Sequence, residues 1–552
     1  MRSLPRLLLA SSLLFPSAAH AAPVQVSSTE ALIAAIQGAK AGDEIILADG
    51  AYAISQNISC SADGTSEAPI VVRAATPLGA ALSFDAVEGF KVLGKHWRFE
   101  GLSIRGVCAS DSDCEHAFHV IGDADHFQMV GCQVRDFNAQ LKANAAPDGN
   151  GVWRAPDQGL VEGCDLGDDQ PRQTSNPVTK LNIDTGDDWV VRGNFIHDFR
   201  KDGGNEISYG AFMKSGGKRG LFEQNLVACS FNDKSGGVRI GLSFGGGGTG
   251  AQFCAPAFDP ATPCNVEHED GVIRNNVIVN CSDVGVYLNR AKNTRLLHNT
   301  LVATSGVDFR FDTTSGEADG NLLAGKIRNR DGATHQAKNN LTEVPEASFL
   351  SWYKNPLAGD LSLLGDVSPL LGKVPSRPDV PDDYCLRARP AGPTALGALE
   401  HSLGDCPTFP PPQGGAGAAG SSGSSGQGGG AGAGGAVQGG AGGSGGSGQA
   451  GTGGAGAGAG GAGLAGAGGQ AGAGGQAGAG AKAGSGGTGG DGAGGVGGAG
   501  VASGTSGQSG GADSEEDGCG CRVAGGTGRG GVWVLGLVGL VGLARRGRGR
   551  RE

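Results

Sequence analysis

The chain has 552 residues, 107 of them glycine, and its 43 Lys and Arg against 54 Asp and Glu give a formal net charge of −11. That acidic balance excludes an overall basic field of the kind that nucleic-acid binding needs. Most of the glycine falls after Pro412, so composition has to be read in segments. Residues 1–21 carry Arg2 and Arg6, an apolar run through Leu14 and the small-residue site Ala19-His20-Ala21, which is the pattern of a secretory signal peptide. Export fits the cysteines, since disulfides persist outside the cytosol. Cys108 with Cys114, Cys254 with Cys264 and Cys385 with Cys406 are expected local pairs, and Cys132 with Cys164 are either a pair or stacked thiols.

The segment TEALIAAIQGAK has the helical spacing of Leu32, Ala35 and Ile36 with Gly38 as a stop, and predicts a helix that covers the open first coil of a solenoid. Residues 22–345 are expected to form that solenoid. A strand follows at Glu44–Leu47 with a turn at Asp49-Gly50, and further strands are expected at 70–74, 81–87 and 90–93. From Phe99 onward one phrase recurs: FEGLSI, MVGCQV, VEGCDL, VRGNFI, FEQNLV, IRNNVI, LHNTLV and KNNLTE. Its copies align Leu102, Cys132, Cys164, Asn194, Asn225, Asn276, Asn299 and Asn340, with Asn321 between the last two. Alternating strands repeated at roughly 20 to 30 residues, with one longer step between Asn225 and Asn276, are the signature of a solenoid. A column of Asn side chains bonded along the axis selects a right-handed parallel β-helix, single-stranded and all-β. The longer step contains SFGGGGTGAQFCAPAFDPATPC, read as a loop inserted from one coil.

Residues 346–409 are expected to form a C-terminal cap and extended tail. Residues 410–518 are Gly, Ala, Ser and Gln with almost no large apolar side chain, the composition of a disordered linker. Residues 519–552 hold Cys519-Gly520-Cys521, the apolar run from Gly531 to Ala544 and an arginine cluster at the end. Fourteen apolar residues are marginal for a transmembrane span. This tail resembles the myxobacterial C-terminal sorting signal, which implies processing near the Cys motif and attachment to the membrane or envelope at the cell surface. A retained membrane anchor is the alternative.

Alternation along GAFMKSG, GGVRIGL, GVYLNR and GVDFRFD places Ala211, Met213, Val238, Ile240, Val286, Leu288, Val307 and Phe309 inside the coil. Phe212, Lys214, Arg239, Tyr287, Asn289, Asp308 and Arg310 then point outward, joined one coil earlier by Lys180, Asn182 and Asp184. A stripe of Lys, Arg, Tyr and Asn on an acidic protein can grip an anionic sugar chain, or be a solvated sheet face.

Lys214-Ser215, then Asn225, then Arg239-Ile240-Gly241 resemble the corresponding elements of polysaccharide lyase family six, the alginate lyases and chondroitinase B, and GDEIILADGAY with APIVVRA resembles the family's first coils. The resemblance implies β-elimination on a uronate-containing polysaccharide, with Lys214 as general base and Arg239 acting near the leaving oxygen. A like charge at Arg239 would lower the pKa of a neighbouring Lys214. Tyr287 would assist proton transfer, and Arg310, Asn289 and Lys180 would bind substrate. Family members carry acidic calcium ligands just before the Lys, whereas ISYGAFM offers none. No cofactor is therefore expected, with calcium as the one alternative, through Asn182, Asp184 or Glu206.

The sequence also admits two other readings. A non-catalytic cell-surface adhesin or glycan-binding protein would use the same scaffold. A hydrolase of the pectinase type is disfavoured because Asp184, Asp187 and Asp188 crowd one coil and no Gly-His-Gly element follows. The expected partner is an acidic polysaccharide, with no nucleic acid, and the chain is expected to be a monomer.

Overall fold

A computed structural model describes residues 23–408, and all structural statements concern these residues. The signal peptide, the glycine-rich linker and the C-terminal sorting segment predicted above lie outside them. Among the described residues no helix is long and apolar enough to cross a membrane.

The expected helix forms at Thr29–Gln37. The Ser28 hydroxyl accepts from the Ala31 N–H at its start, Gly38 ends it, and Leu32 and Ile36 are buried against the first strands. Beyond it the chain winds through three long sheets of twelve, ten and ten strands, each strand pairing in parallel with its counterpart one coil away. This is the parallel β-helix that the repeat predicts. Each strand is only two to seven residues long, yet every coil buries its apolar positions on the next, as Met129 does on Val161 and Phe99. Aromatic residues fill the early coils, where Phe90 stacks on Phe118 with ring centroids 5.3 Å apart.

The aligned Asn column is an uninterrupted ladder. Asn194 Nδ2 donates to Asn225 Oδ1, Asn225 to Asn276, Asn276 to Asn299, Asn299 to Asn321 and Asn321 to Asn340, all at 2.8–3.0 Å. At the older end of the column Cys132 and Cys164 are buried free thiols one coil apart. The three expected disulfides form, together with Cys229–Cys281, which spans 52 residues and which local spacing could not suggest.

The segment after the last coil begins with a helix at Glu346–Trp352 and a short antiparallel pair, Tyr353–Asn355 with Asp360–Leu363. It runs along the flank of the coil. Phe349, Tyr353, Leu361 and Tyr384 pack on Leu226, Val277, Val302 and Leu322, outward residues of the third sheet.

Candidate functional site on the outer sheet face

One of the ten-stranded sheets carries Lys180, Asn182, Phe212, Arg239, Tyr287, Asn289, Asp308 and Arg310, with Asp184, Glu206 and Lys214 directly flanking its strands. In chain order its strands include Glu88–Val92, His116–Ile121, Ala139–Asn144, Val178–Ile183, Ile207–Met213, Val238–Phe244, Val286–Asn289 and Gly306–Arg310. Alternation does not run unbroken along them. A Cβ on Gly210 would stand 3.2 Å from the Phe199 ring, on Gly241 2.9 Å from Ile278 and on Gly285 2.8 Å from Leu301, all core residues. These glycines thus face the core beside Ala211, Leu242 and Val286, which face it as well. Two consecutive inward residues break the alternation at the same register on adjacent strands, and beyond that point the two faces exchange.

The exchange corrects part of the sequence reading. Ile240 and Val238, expected inside, pack with Tyr287 and Tyr209 in a separate apolar cluster. Arg239 turns the other way. It is buried, bonded to the Asp233 carboxylate and the Ser235 carbonyl, and its backbone N–H donates to Ser282. Lys180, expected on the outer face, is fully buried and pairs at 2.5 Å with Asp168, also at zero exposure, while donating to the Phe137 carbonyl. No sugar chain can reach it there.

Arg239 and Lys214 are consequently not neighbours. Arg239 lies opposite Ser208, six residues before Lys214 on the adjacent strand, about 20 Å along it at the usual strand rise. They are not the neighbouring pair of cations that the sequence reading expected.

What surrounds Lys214 is a different set of charges. Lys142, Asn182 and Phe212 are opposite one another on three adjacent strands, and Asp184 and Lys214 follow two residues further along. Lys214 Nζ stands 3.3 Å from Asp184 Oδ1, donates to the Gly248 carbonyl at 2.9 Å and lies over the Phe212 ring at 5.0 Å. Lys142 Nζ bonds the other Asp184 oxygen and, at 3.1 Å, Asn182 Oδ1. Burial alone would raise the Asp184 pKa, but the two ammonium groups outweigh it and hold the carboxyl below its ordinary value. Behind Lys214 the buried Glu267 accepts from the Ser215 N–H and the Thr249 hydroxyl. Burial raises its pKa against the opposing pull of Thr249 and Lys214.

The loop after Phe244 seals one side of this site. Gly245 has φ +95° and a Cβ there would collide with the Asn289 carbonyl, so only glycine permits the strand to break off between Lys214 and Asn289. The Gly246 and Gly248 carbonyls then take Asn289 Nδ2 and Lys214 Nζ respectively. The loop also stacks Phe258 on Trp153 of an earlier coil, with centroids 4.6 Å apart. Farther along the axis Tyr287 OH accepts from Arg310 at 3.1 Å, and Arg310 also pairs with Asp331. Asp308 is buried between Arg328 and Arg330.

Asn182 and Asp184, two candidate calcium ligands, point their oxygens at ammonium groups, and Glu206 is exposed at the far end of the Ile207–Met213 strand. These residues do not assemble the oxygen cage that a hard cation requires. Lys142 and Glu267 escaped the sequence reading. Aligning the inward residues Leu141, Leu181 and Ala211 would have found Lys142, because it then falls opposite Asn182; Glu267, beyond the inserted loop, has no such signal.

Residues 26–152 match the family model described as chondroitinase B, which covers the first coils and the helix. No curated protein sequence matches the chain. Among solved structures, a pectate lyase is similar over 69% of this chain and 96% of its own, at 15% identity and a TM-score of 0.47. A family-six polysaccharide lyase from Pseudopedobacter saltans is similar over 59% and 93%, at 11% identity and a TM-score of 0.34. The Dettilon tailspike protein is similar over 57% and 58%, at 14% identity and a TM-score of 0.36.

Proposed function

We propose that this is an exported, envelope-held polysaccharide lyase that binds a uronate-containing acidic polysaccharide along the outer sheet face and cleaves it by β-elimination. The observation that carries the reading is the row formed by Lys142, Asp184 and Lys214 on three adjacent strands of a β-helix whose first coils match the chondroitinase B model. Eliminating across a uronate needs a base for the proton beside the carboxyl group and positive charge to stabilise the enolate that develops. Lys214 is assigned as the base and Lys142 as the charge facing the substrate carboxylate, with Asp184 holding both in place. Tyr287 and Arg310 bind the next sugars along the axis. Arg239, bound to Asp233, braces the loop below the sheet and is not assigned to the leaving oxygen.

The test is to incubate the full-length protein and its Lys214→Ala variant with alginate, chondroitin, dermatan and pectate while following the ultraviolet absorbance of unsaturated uronate. Growth of that absorbance, lost in the variant, establishes elimination at this site. Silence on all four, with retained binding to one of them, moves the protein to a glycan-binding role. That second reading draws on the same contacts, since Lys214 is nearly buried against Asp184 and the Gly248 carbonyl.

A further inference from the structure

Three other polar side chains, Glu88, His116 and His119, gather on the same sheet in earlier coils, and the chemistry assigned above makes no use of them. Glu88 lies opposite His116 on adjacent strands, and their ligand atoms with that of His119 all fall within 4.8 Å of one another. His119 is held at both ring nitrogens: Nδ1 is 2.5 Å from Glu88 Oε1 and Nε2 is 2.7 Å from Asn144 Oδ1. The Asn144 amide nitrogen donates to the Ala145 carbonyl, so its oxygen is the atom turned to the ring, and Nε2 must carry a proton to bond it. In the neutral ring that leaves the Nδ1 lone pair facing a carboxylate oxygen, two acceptors that only a cation can join. A proton does this when the ring is charged, and a metal ion does it when the ring is neutral. The remaining member, His116, has its Nδ1 shielded from solvent with no hydrogen-bond partner, and its ring lies 5.0 Å from that of His119.

We infer that Glu88, His116 and His119 form a binding site for a borderline divalent transition metal, Zn²⁺ above all. Two imidazole nitrogens and one carboxylate suit zinc and its neighbours, whereas calcium and magnesium prefer cages of oxygen. Asn144 supplies the outer contact that fixes the ring and tautomer of a ligating histidine. Three protein ligands leave a coordination position for water or an anionic oxygen. The nearby cation Lys91, 3.5 Å from Glu88 Oε2, competes for the same carboxylate and must turn outward when metal binds. This site is independent of the elimination reading, because its ligands are read from geometry alone.

The experiment titrates the metal-stripped full-length protein with Co²⁺, following the visible d–d bands, and with Zn²⁺ by calorimetry, using Ca²⁺ as a control. The wild type is expected to bind one equivalent that His116→Ala and His119→Ala both lose. Asn144→Ala, which keeps every ligand, is expected to bind about 10–100-fold more weakly. Circular dichroism and thermal melts verify that each variant is folded. Binding that is unchanged in the histidine variants, as thiolate capture at Cys519 or Cys521 would give, overturns the proposal. So does a wild type that binds Ca²⁺ but neither Co²⁺ nor Zn²⁺, or that binds no metal.

Discussion

Lys180 and Asp184 sit four residues apart, yet their ion pairs obey different rules. Lys180 points into the coil and meets Asp168 with neither side chain exposed, and burial works against both charges, lowering the lysine pKa and raising that of the aspartate. Asp184 faces outward and is shared by two lysines, and its side chain keeps 16% of its exposure. The inner pair is a structural element whose partners cannot be separated without leaving a charge in the core. The outer group has a spare partner and a route to solvent, which is the arrangement a binding site needs. The break in alternation at Lys180 and Leu181, both turned inward, is what puts these two groups, so close in sequence, on opposite faces.

This contrast can be broken at either end. The largest effect is expected for Lys180→Ala, which strands Asp168 in the core and should cost about 3–5 kcal/mol in chemical denaturation. A loss below about 1 kcal/mol would show that the inner pair is not structural. Next, Asn225→Ala removes the acceptor of the Asn194 backbone and side-chain amides and the donor to the Val191 carbonyl. Several buried groups go unpaired together, and the expected loss is about 3 kcal/mol by the same measurement. Lys214→Ala is expected to cost only about 1 kcal/mol, because Asp184 retains Lys142, while abolishing whatever activity the outer face carries. A stability loss equal to that of Lys180→Ala would erase the difference between the two faces.

The smallest effect is a pH dependence at His197. Burial lowers its pKa, but hydrogen bonds to Asp165 and Asp198 more than compensate, so the folded pKa lies above the ordinary value. The stability it contributes is full below the unfolded value and disappears as pH rises through the folded one. The difference in denaturation midpoint between wild type and His197→Gln should therefore be larger near about pH 5.5 than near about pH 8.5. An equal difference at both would mean that His197 does not titrate differently on folding.

Repetition made the fold legible. The Asn column, the strand alternation and the Ser28-capped helix are local patterns, and a parallel coil is the only arrangement in which such short strands all find partners and the Asn amides all find each other. The outer site was legible in part: Lys214, Asp184, Asn182, Tyr287 and Asn289 lie on the sheet that alternation indicated. Arg239 and Lys180 do not face outward, because two consecutive residues on these strands face the core and the alternation reverses there. Glycine at 210, 241 and 285 was visible in the chain, but its consequence depends on Phe199, Ile278 and Leu301 closing in from other strands. Sequence alone thus determined the coil and its axis, since those follow from periodic burial. Tertiary structure decided which polar side chains meet, brought Lys142 and Glu267 to Lys214, and joined Cys229 to Cys281, because each of these contacts crosses between coils whose pairing a single strand does not reveal.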